Sequence, residues 1–325
     1  MSHAAGAQDR WVLDLRGPRP DHDPSRYQGL ILENERSVGG AIARVATVFL
    51  TGRECPWRCV MCDLWKQTTT GDTPPGAIPR QLAAARSVIT GAAPPVAQIK
   101  LYNAGSFFDS RAVPESDYDE VARLLNGFER VIVESHPALI GPRVDRFLAS
   151  LDRHAPAISL EVAVGLETAH PEALRRLNKR MTVDDFASAA ERLHARGVAL
   201  RVFLLIAPPF VEPAEQDLWL ARSVDVAASC GATAMSLIPT RAGNGAMERL
   251  AREGVFAAPS LSLIEHGFDA SLEHVAGRAR VFVDLWELDR FSSCVHCFDE
   301  RRARLHAMNL EQRLLPRVTC DRCRR

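Results

Sequence analysis

From about residue 44 onward, short runs of β-branched and apolar residues alternate with longer stretches whose apolar positions recur every three or four residues. That rhythm predicts strands followed by amphipathic helices, the signature of βα units. Strands are predicted at 45–50, 98–102, 130–134, 159–165, 200–206 and 233–238, with a seventh at 281–285, most of them reading as buried parallel strands. Helices are predicted at 117–126, 144–151, 183–195 and 213–229. Thr182 with Asp184 and Asp185 reads as a capped helix start, and Pro213 as a first-turn proline. Six such units predict an α/β fold, a partial (β/α)6 TIM-like barrel over residues 44–290.

The ends differ in character. Residues 1–43 are rich in Pro, Gly and charge without a clear period and read as an irregular N-terminal extension. Residues 291–325 hold four cysteines and an excess of arginine and read as a small Cys-rich metal-binding tail.

Composition narrows the class. Forty basic residues balance forty acidic ones, so no global field draws the chain of 325 residues to nucleic acid or an anionic membrane. No signal peptide and no run of eighteen apolar residues occurs, which predicts a soluble cytoplasmic protein. Seven of the eight cysteines fall in two tight clusters, a pattern that in a reducing compartment favours metal ligation over disulfides. Cys230 stands alone in an apolar setting and reads as a small core residue. Only Lys66, Lys100 and Lys179 are lysines, which reads either as places where arginine is unsuited or as chance survivors of a bias against lysine.

Cys55, Cys59 and Cys62 directly follow the first predicted strand, on the C-terminal face that carries catalysis in α/β barrels. Spacings of four and three let one loop occupy three corners of an iron–sulfur cubane and leave one iron without a local protein ligand. An open metal position belongs to catalysis rather than to structure. A zinc site completed by a distant histidine is the other reading of the same three thiols.

This CxxxCxxC loop after a strand resembles the defining motif of the radical S-adenosylmethionine superfamily, and the likeness runs from residue 44 to about 250. The resemblance implies a [4Fe-4S] cluster on Cys55, Cys59 and Cys62 whose open iron takes S-adenosylmethionine. It further implies reductive cleavage to a 5′-deoxyadenosyl radical that removes a substrate hydrogen. Met61 stands where an aromatic often packs on the adenine. Asn103, Gly105 and Ser106 match the turn that contacts the methionyl amino group. Residues 165–182, with Gly165-Leu-Glu167-Thr168, resemble the subgroup of the Elongator catalytic subunit and the methylthiotransferases, and within it the radical lyase family of archaeosine synthesis. By that resemblance Glu167 contacts the cofactor and Lys179 or Arg180 neutralises its carboxylate. Arg201 is assigned to the same mouth, as a cofactor or substrate contact. His136, Arg241 and Asn244 are the candidate substrate-facing catalytic residues. A one-electron donor such as a flavodoxin or ferredoxin is implied, with a small molecule or a modified nucleoside or RNA as substrate.

At the C-terminus Cys294, Cys297, Cys320 and Cys323 form two CxxC pairs, read as a zinc site or an auxiliary iron–sulfur cluster. The arginines around them, to Arg324 and Arg325, make the tail locally basic, which suits RNA phosphate or simple solvation. A different class of function is a metal-binding scaffold or nucleic-acid-binding module with two structural zinc sites.

Overall fold

The computed structural model describes residues 2–103 and 105–323. Along the chain run α1 (Ser2–Asp14), β1 (Gly29–Arg36), β2 (Ile42–Leu50), α2 (Ala77–Ile89), β3 (Gln98–Asn103), α3 (Tyr118–Leu125) and β4 (Arg130–Glu134). They are followed by α4 (Pro142–His154), β5 (Ser159–Glu167), α5 (Pro171–Arg176), α6 (Val183–His194), β6 (Ala199–Ile206) and α7 (Gln216–Ser229). The chain ends with β7 (Ala234–Pro239), α8 (Ala246–Arg252), α9 (Leu261–Val275), β8 (Arg280–Val283) and α10 (Phe298–Glu311). One eight-stranded sheet takes the strands in chain order. β1 pairs antiparallel with β2, and every later pair is parallel. The α/β partial barrel expected from the sequence is the fold found, with the Cys-rich group at its C-terminus.

All seven predicted strands form. They are not buried alike on both faces, however. One face, with Ile99, Val131, Val162, Val202 and Leu237, packs on the surrounding helices in the main core. The other face lines the lumen, and near the N-terminal strand ends it is charged. Lys100 donates to Glu35 at 2.6 Å and Glu33 at 3.0 Å, and Arg201 to Glu35 at 2.5 Å and Glu161 at 2.6 Å. Arg130 and Arg280 reach Glu161 at 3.3 and 3.4 Å.

That layer corrects the reading of residues 1–43 as irregular: they hold α1 and β1. In β1, Leu30 and Leu32 pack on the core while Glu33 and Glu35 turn inward. Two acids in a short segment look like a loop until Lys100, 65 residues away from Glu35, pairs with both and Arg201, 166 residues away, joins it in burying Glu35. Arg201 is likewise corrected. It sits 2% exposed in this floor with its nitrogens taken by Glu35, Glu161 and Ser236, not at the mouth.

The sheet curls so that a side chain of its last strand reaches the backbone of its first. Arg280 of β8 donates to the Arg36 carbonyl of β1 at 3.0 Å, and α10 packs on both strands. From α10, Arg301 pairs with Glu265 and Arg304 with Asp269 of α9. Asn309 in its last turn and Gln312 just beyond each give a donor and an acceptor to the backbone of Val283 and Val281, at 2.7–2.9 Å. Two amide side chains thus stand in for a ninth strand on the open edge. The cysteine-rich tail is therefore built onto the barrel. The predicted cap of α6 is present as a reciprocal capping box between Thr182 and Asp185. Among the described residues no helix is long and apolar enough to cross a membrane.

Burial pushes the Glu35 carboxyl up, but Arg201 and Lys100 outweigh it and hold it well below the carboxylate range. Glu161 is held down the same way, with Arg201 and Arg280 offsetting burial. Folded pKa values below the unfolded ones mean stability that is fully present above the ordinary carboxylate range and lost as pH falls from there through the depressed folded values. Glu161→Ala leaves Glu35 as the one carboxylate facing the buried Arg201 and Arg280 guanidinium groups and is expected to cost about 3 kcal/mol, read as a lower urea midpoint at unchanged slope. An unmoved midpoint would show the floor to be hydrated.

Candidate active site

The loop after β2 has little regular structure of its own, so its backbone groups are satisfied by distant segments. Val60 N–H donates to the Leu177 carbonyl at 2.9 Å, and the Asn244 amide donates to the carbonyls of Val60 and Cys62 at 2.7 and 3.2 Å. Lys66 Nζ donates to the Gly243 carbonyl. Trp57 stacks on His136 with centroids 3.7 Å apart and planes 13° from parallel. Cys59 is buried and its neighbours Cys55 and Cys62 are partly so. Burial pushes each of the three thiols up to about 12. Neutral thiols are poor ligands, and a bound cation inverts that preference.

Beside the thiols lies a buried ion pair. Lys179 Nζ is 2.7 Å from Glu167 Oε1, both side chains nearly closed off from solvent. Burial opposes the Lys179 charge, yet Glu167 and Cys59 raise its pKa above the ordinary lysine value. Glu167 has φ of 67°, and Asn178 and Arg180, on either side of Lys179, have 58° and 55°. Left-handed backbone costs a non-glycine residue about 1–3 kcal/mol and collects at functional sites. Gly165 leaves room for this pair, since a Cβ would stand 2.2 Å from Glu167 Oε1 and 2.6 Å from Lys179 Nζ and push the two side chains aside.

At the end of β3, Asn103 is 6% exposed and neither polar atom of its side chain has a partner. Buried amides are normally satisfied, so the pair of orphans marks a place for a ligand's polar group. Gly105 allows a close approach, since a Cβ would come within 2.7 Å of the Arg53 carbonyl. Ser106 Oγ accepts from the His136 N–H at 2.9 Å. The sequence reading missed Glu134 at the end of β4. Burial raises its carboxyl to about 8, against the pull of the Asn103 N–H and Lys179. A lone acid closing an apolar strand at the catalytic face was the available signal.

The structure brings Cys55, Cys59, Cys62, Glu167 and Lys179 together but redirects two of the three candidate catalytic residues. His136 Nδ1 accepts from the Ala138 N–H at 3.2 Å and Nε2 donates to the Lys179 carbonyl at 2.9 Å. Burial and the Lys179 charge lower its pKa to about 3, so it is a neutral strut with no free nitrogen. Asn244 binds the cysteine loop on one side and caps Met247 N–H on the other. Arg241 stays at the mouth, bonded to Asp284 at 2.7 Å and the Trp286 carbonyl at 2.6 Å, next to the 60% exposed Trp286. Met61 packs in a small core with Val60, Met247 and Val12.

The C-terminal cysteines are gathered as predicted: the sulfurs of Cys294, Cys297, Cys320 and Cys323 lie within 4.8 Å of one another, with Cys297 and Cys323 3.8 Å apart. Arg324 and Arg325 lie outside the described residues.

No family model matches the chain. It is 27% identical over 270 residues to archaeosine synthase subunit beta of Methanosarcina acetivorans, covering 78% of this chain and 75% of that protein. The protein of the same name from Thermococcus kodakarensis is 30% identical over 159 residues, 47% of each chain. Among solved structures, Elp3 of Methanocaldococcus infernus superposes with a TM-score of 0.51 at 14% identity, covering 86% of this chain and 65% of that one. The chain is thus similar in sequence to proteins named archaeosine synthase subunit beta and shares its fold with Elp3.

Asn244→Ala removes the tie to the cysteine loop. In metal-free protein it is expected to speed labelling of Cys59 by a thiol reagent roughly 5- to 30-fold, without a change in helix content. An unchanged rate would place the loop's restraint elsewhere.

Proposed function

We propose that this chain is a radical S-adenosylmethionine enzyme acting on a modified nucleoside, free or in RNA. Three thiols at a barrel strand end, beside the Glu167–Lys179 pair and the orphaned Asn103 amide, carry the reading. Cys55, Cys59 and Cys62 would hold the [4Fe-4S] cluster. With S-adenosylmethionine bound, that group supplies one-electron cleavage of the sulfonium and a 5′-deoxyadenosyl radical.

The protein's own part is to bind. Asn103 offers a donor and an acceptor, and Gly105 lets the Arg53 carbonyl and Ala112 pack against the turn that holds it. Lys179 presents a cation for a carboxylate, and Glu167 an acceptor held by that same cation. The uncharged Glu134 carboxyl can give a hydrogen bond at neutral pH. The charged floor fills the lumen at the N-terminal strand ends with paired side chains. Arg241 and Trp286 at the mouth are the residues placed to meet a substrate. The nucleoside reading is supported by similarity to proteins named archaeosine synthase subunit beta. A flavodoxin or ferredoxin would supply the electron.

We assign the C-terminal group to one zinc ion. Zn–S bonds of about 2.3 Å put tetrahedral sulfurs about 3.8 Å apart, the separation seen between Cys297 and Cys323. Thiolates on separate cubane corners stand further apart than around a single ion, which disfavours an auxiliary cluster.

Anaerobic reconstitution with iron and sulfide, then reductant and S-adenosylmethionine, is expected to yield 5′-deoxyadenosine from the parent and none from Cys59→Ala. Metal analysis of the Cys55/Cys59/Cys62→Ala protein is expected to find one zinc and no iron. A colourless parent with two zinc ions and no nucleoside would establish the scaffold instead.

A further inference from the structure

The left-handed turn that carries Lys179 is clamped from outside the barrel. Asp9, in α1, accepts from the Asn178 amide at 2.8 Å through one carboxylate oxygen and pairs with Arg180 through the other. Asn178 and Arg180 are the two positive-φ residues on either side of Lys179. The neighbouring Gln8 amide donates to the Arg176 carbonyl at 2.5 Å. The far end of α1 is fixed as well. Val12 is buried with Val60 and Met247, and the Leu15 carbonyl lies so close to Gly245 that any Cβ there would meet it at 1.8 Å.

We propose that Asp9 is a positioning residue for Lys179: by holding both neighbours in left-handed backbone, it aims the ammonium at Glu167 and the cysteine loop. Arginine has no intrinsic tolerance of φ near 55°, so the conformation needs an outside partner to persist. Asn178 serves both sides of the arrangement, since its amide also donates to the Arg58 carbonyl of the cysteine loop at 2.8 Å. Asp9 thus ties α1, the Lys179 turn and the cysteine loop into one unit. This assignment rests on the reading of Lys179 as a cofactor contact.

The test uses the full chain with Asp9→Ala, Asp9→Asn and Lys179→Ala. In metal-free protein, hydrogen exchange of the 177–181 amides is expected to rise in Asp9→Ala while the core strands and the urea midpoint stay as in the parent. After reconstitution, Asp9→Ala should keep its iron and bind S-adenosylmethionine roughly tenfold more weakly. Asp9→Asn, which keeps an acceptor for Asn178 but loses the charge, should fall between. In the double variant with Lys179→Ala the two losses should fail to add. Parent-like exchange and affinity in Asp9→Ala, or fully additive losses, would overturn the assignment. A parent that retains its cluster but binds no S-adenosylmethionine would instead overturn the reading of the site itself.

Discussion

Everything above the barrel floor depends on a set of charges that cannot be left unpaired. Glu35 and Glu161 face Lys100, Arg201 and Arg280 inside the lumen, almost wholly removed from solvent. A buried charge without its partner costs several kcal/mol, whereas the assembled network need contribute little net stability. Its effect is therefore on arrangement. It requires β1 to lie beside β2, brings β8 within reach of β1, and allows only the order in which five different strands deliver their charges to one layer.

The mouth follows the opposite logic. There the chain leaves groups unsatisfied or strained: the Asn103 amide without partners, Glu167, Asn178 and Arg180 in left-handed backbone, and a carboxyl at Glu134 driven towards its neutral form. Such features persist only where surrounding structure over-determines them. Here the surroundings are α1, the 241–245 loop and the His136–Trp57 stack, all of which grip the cysteine loop or its neighbours. The three lysines each take part in this scheme: Lys100 in the floor, Lys179 beside the thiols, and Lys66 bonded across to the 243 carbonyl. A compact ammonium suits such confined positions better than a planar guanidinium.

The C-terminal segment links the two ends of the sheet. Its helix α10 covers an edge that would otherwise be a row of open backbone groups, and the four-cysteine group brackets that helix in sequence. A metal at those thiols would restrain the segment that covers the open edge of the sheet.

The sequence by itself determined the repeating βα architecture, all seven parallel strands to within a few residues, and the two cysteine clusters. These are local properties: apolar periodicity reports burial, and close spacing of thiols reports shared ligation. The family resemblance of residues 165–182 singled out Glu167 and Lys179 as well. What only the tertiary structure decided are the partners. Whether Arg201 belonged to the mouth or the floor turned on Glu35, 166 residues away. Whether Asn244 and His136 were free to react turned on carbonyls of the cysteine loop and of Lys179. The acids of β1 and the helix α1 carry no strand or helix signal strong enough to read, because their stability comes from cations and a loop contributed by distant parts of the chain. Pairing energy of that kind is a property of proximity, and proximity across a barrel is not written in neighbouring residues.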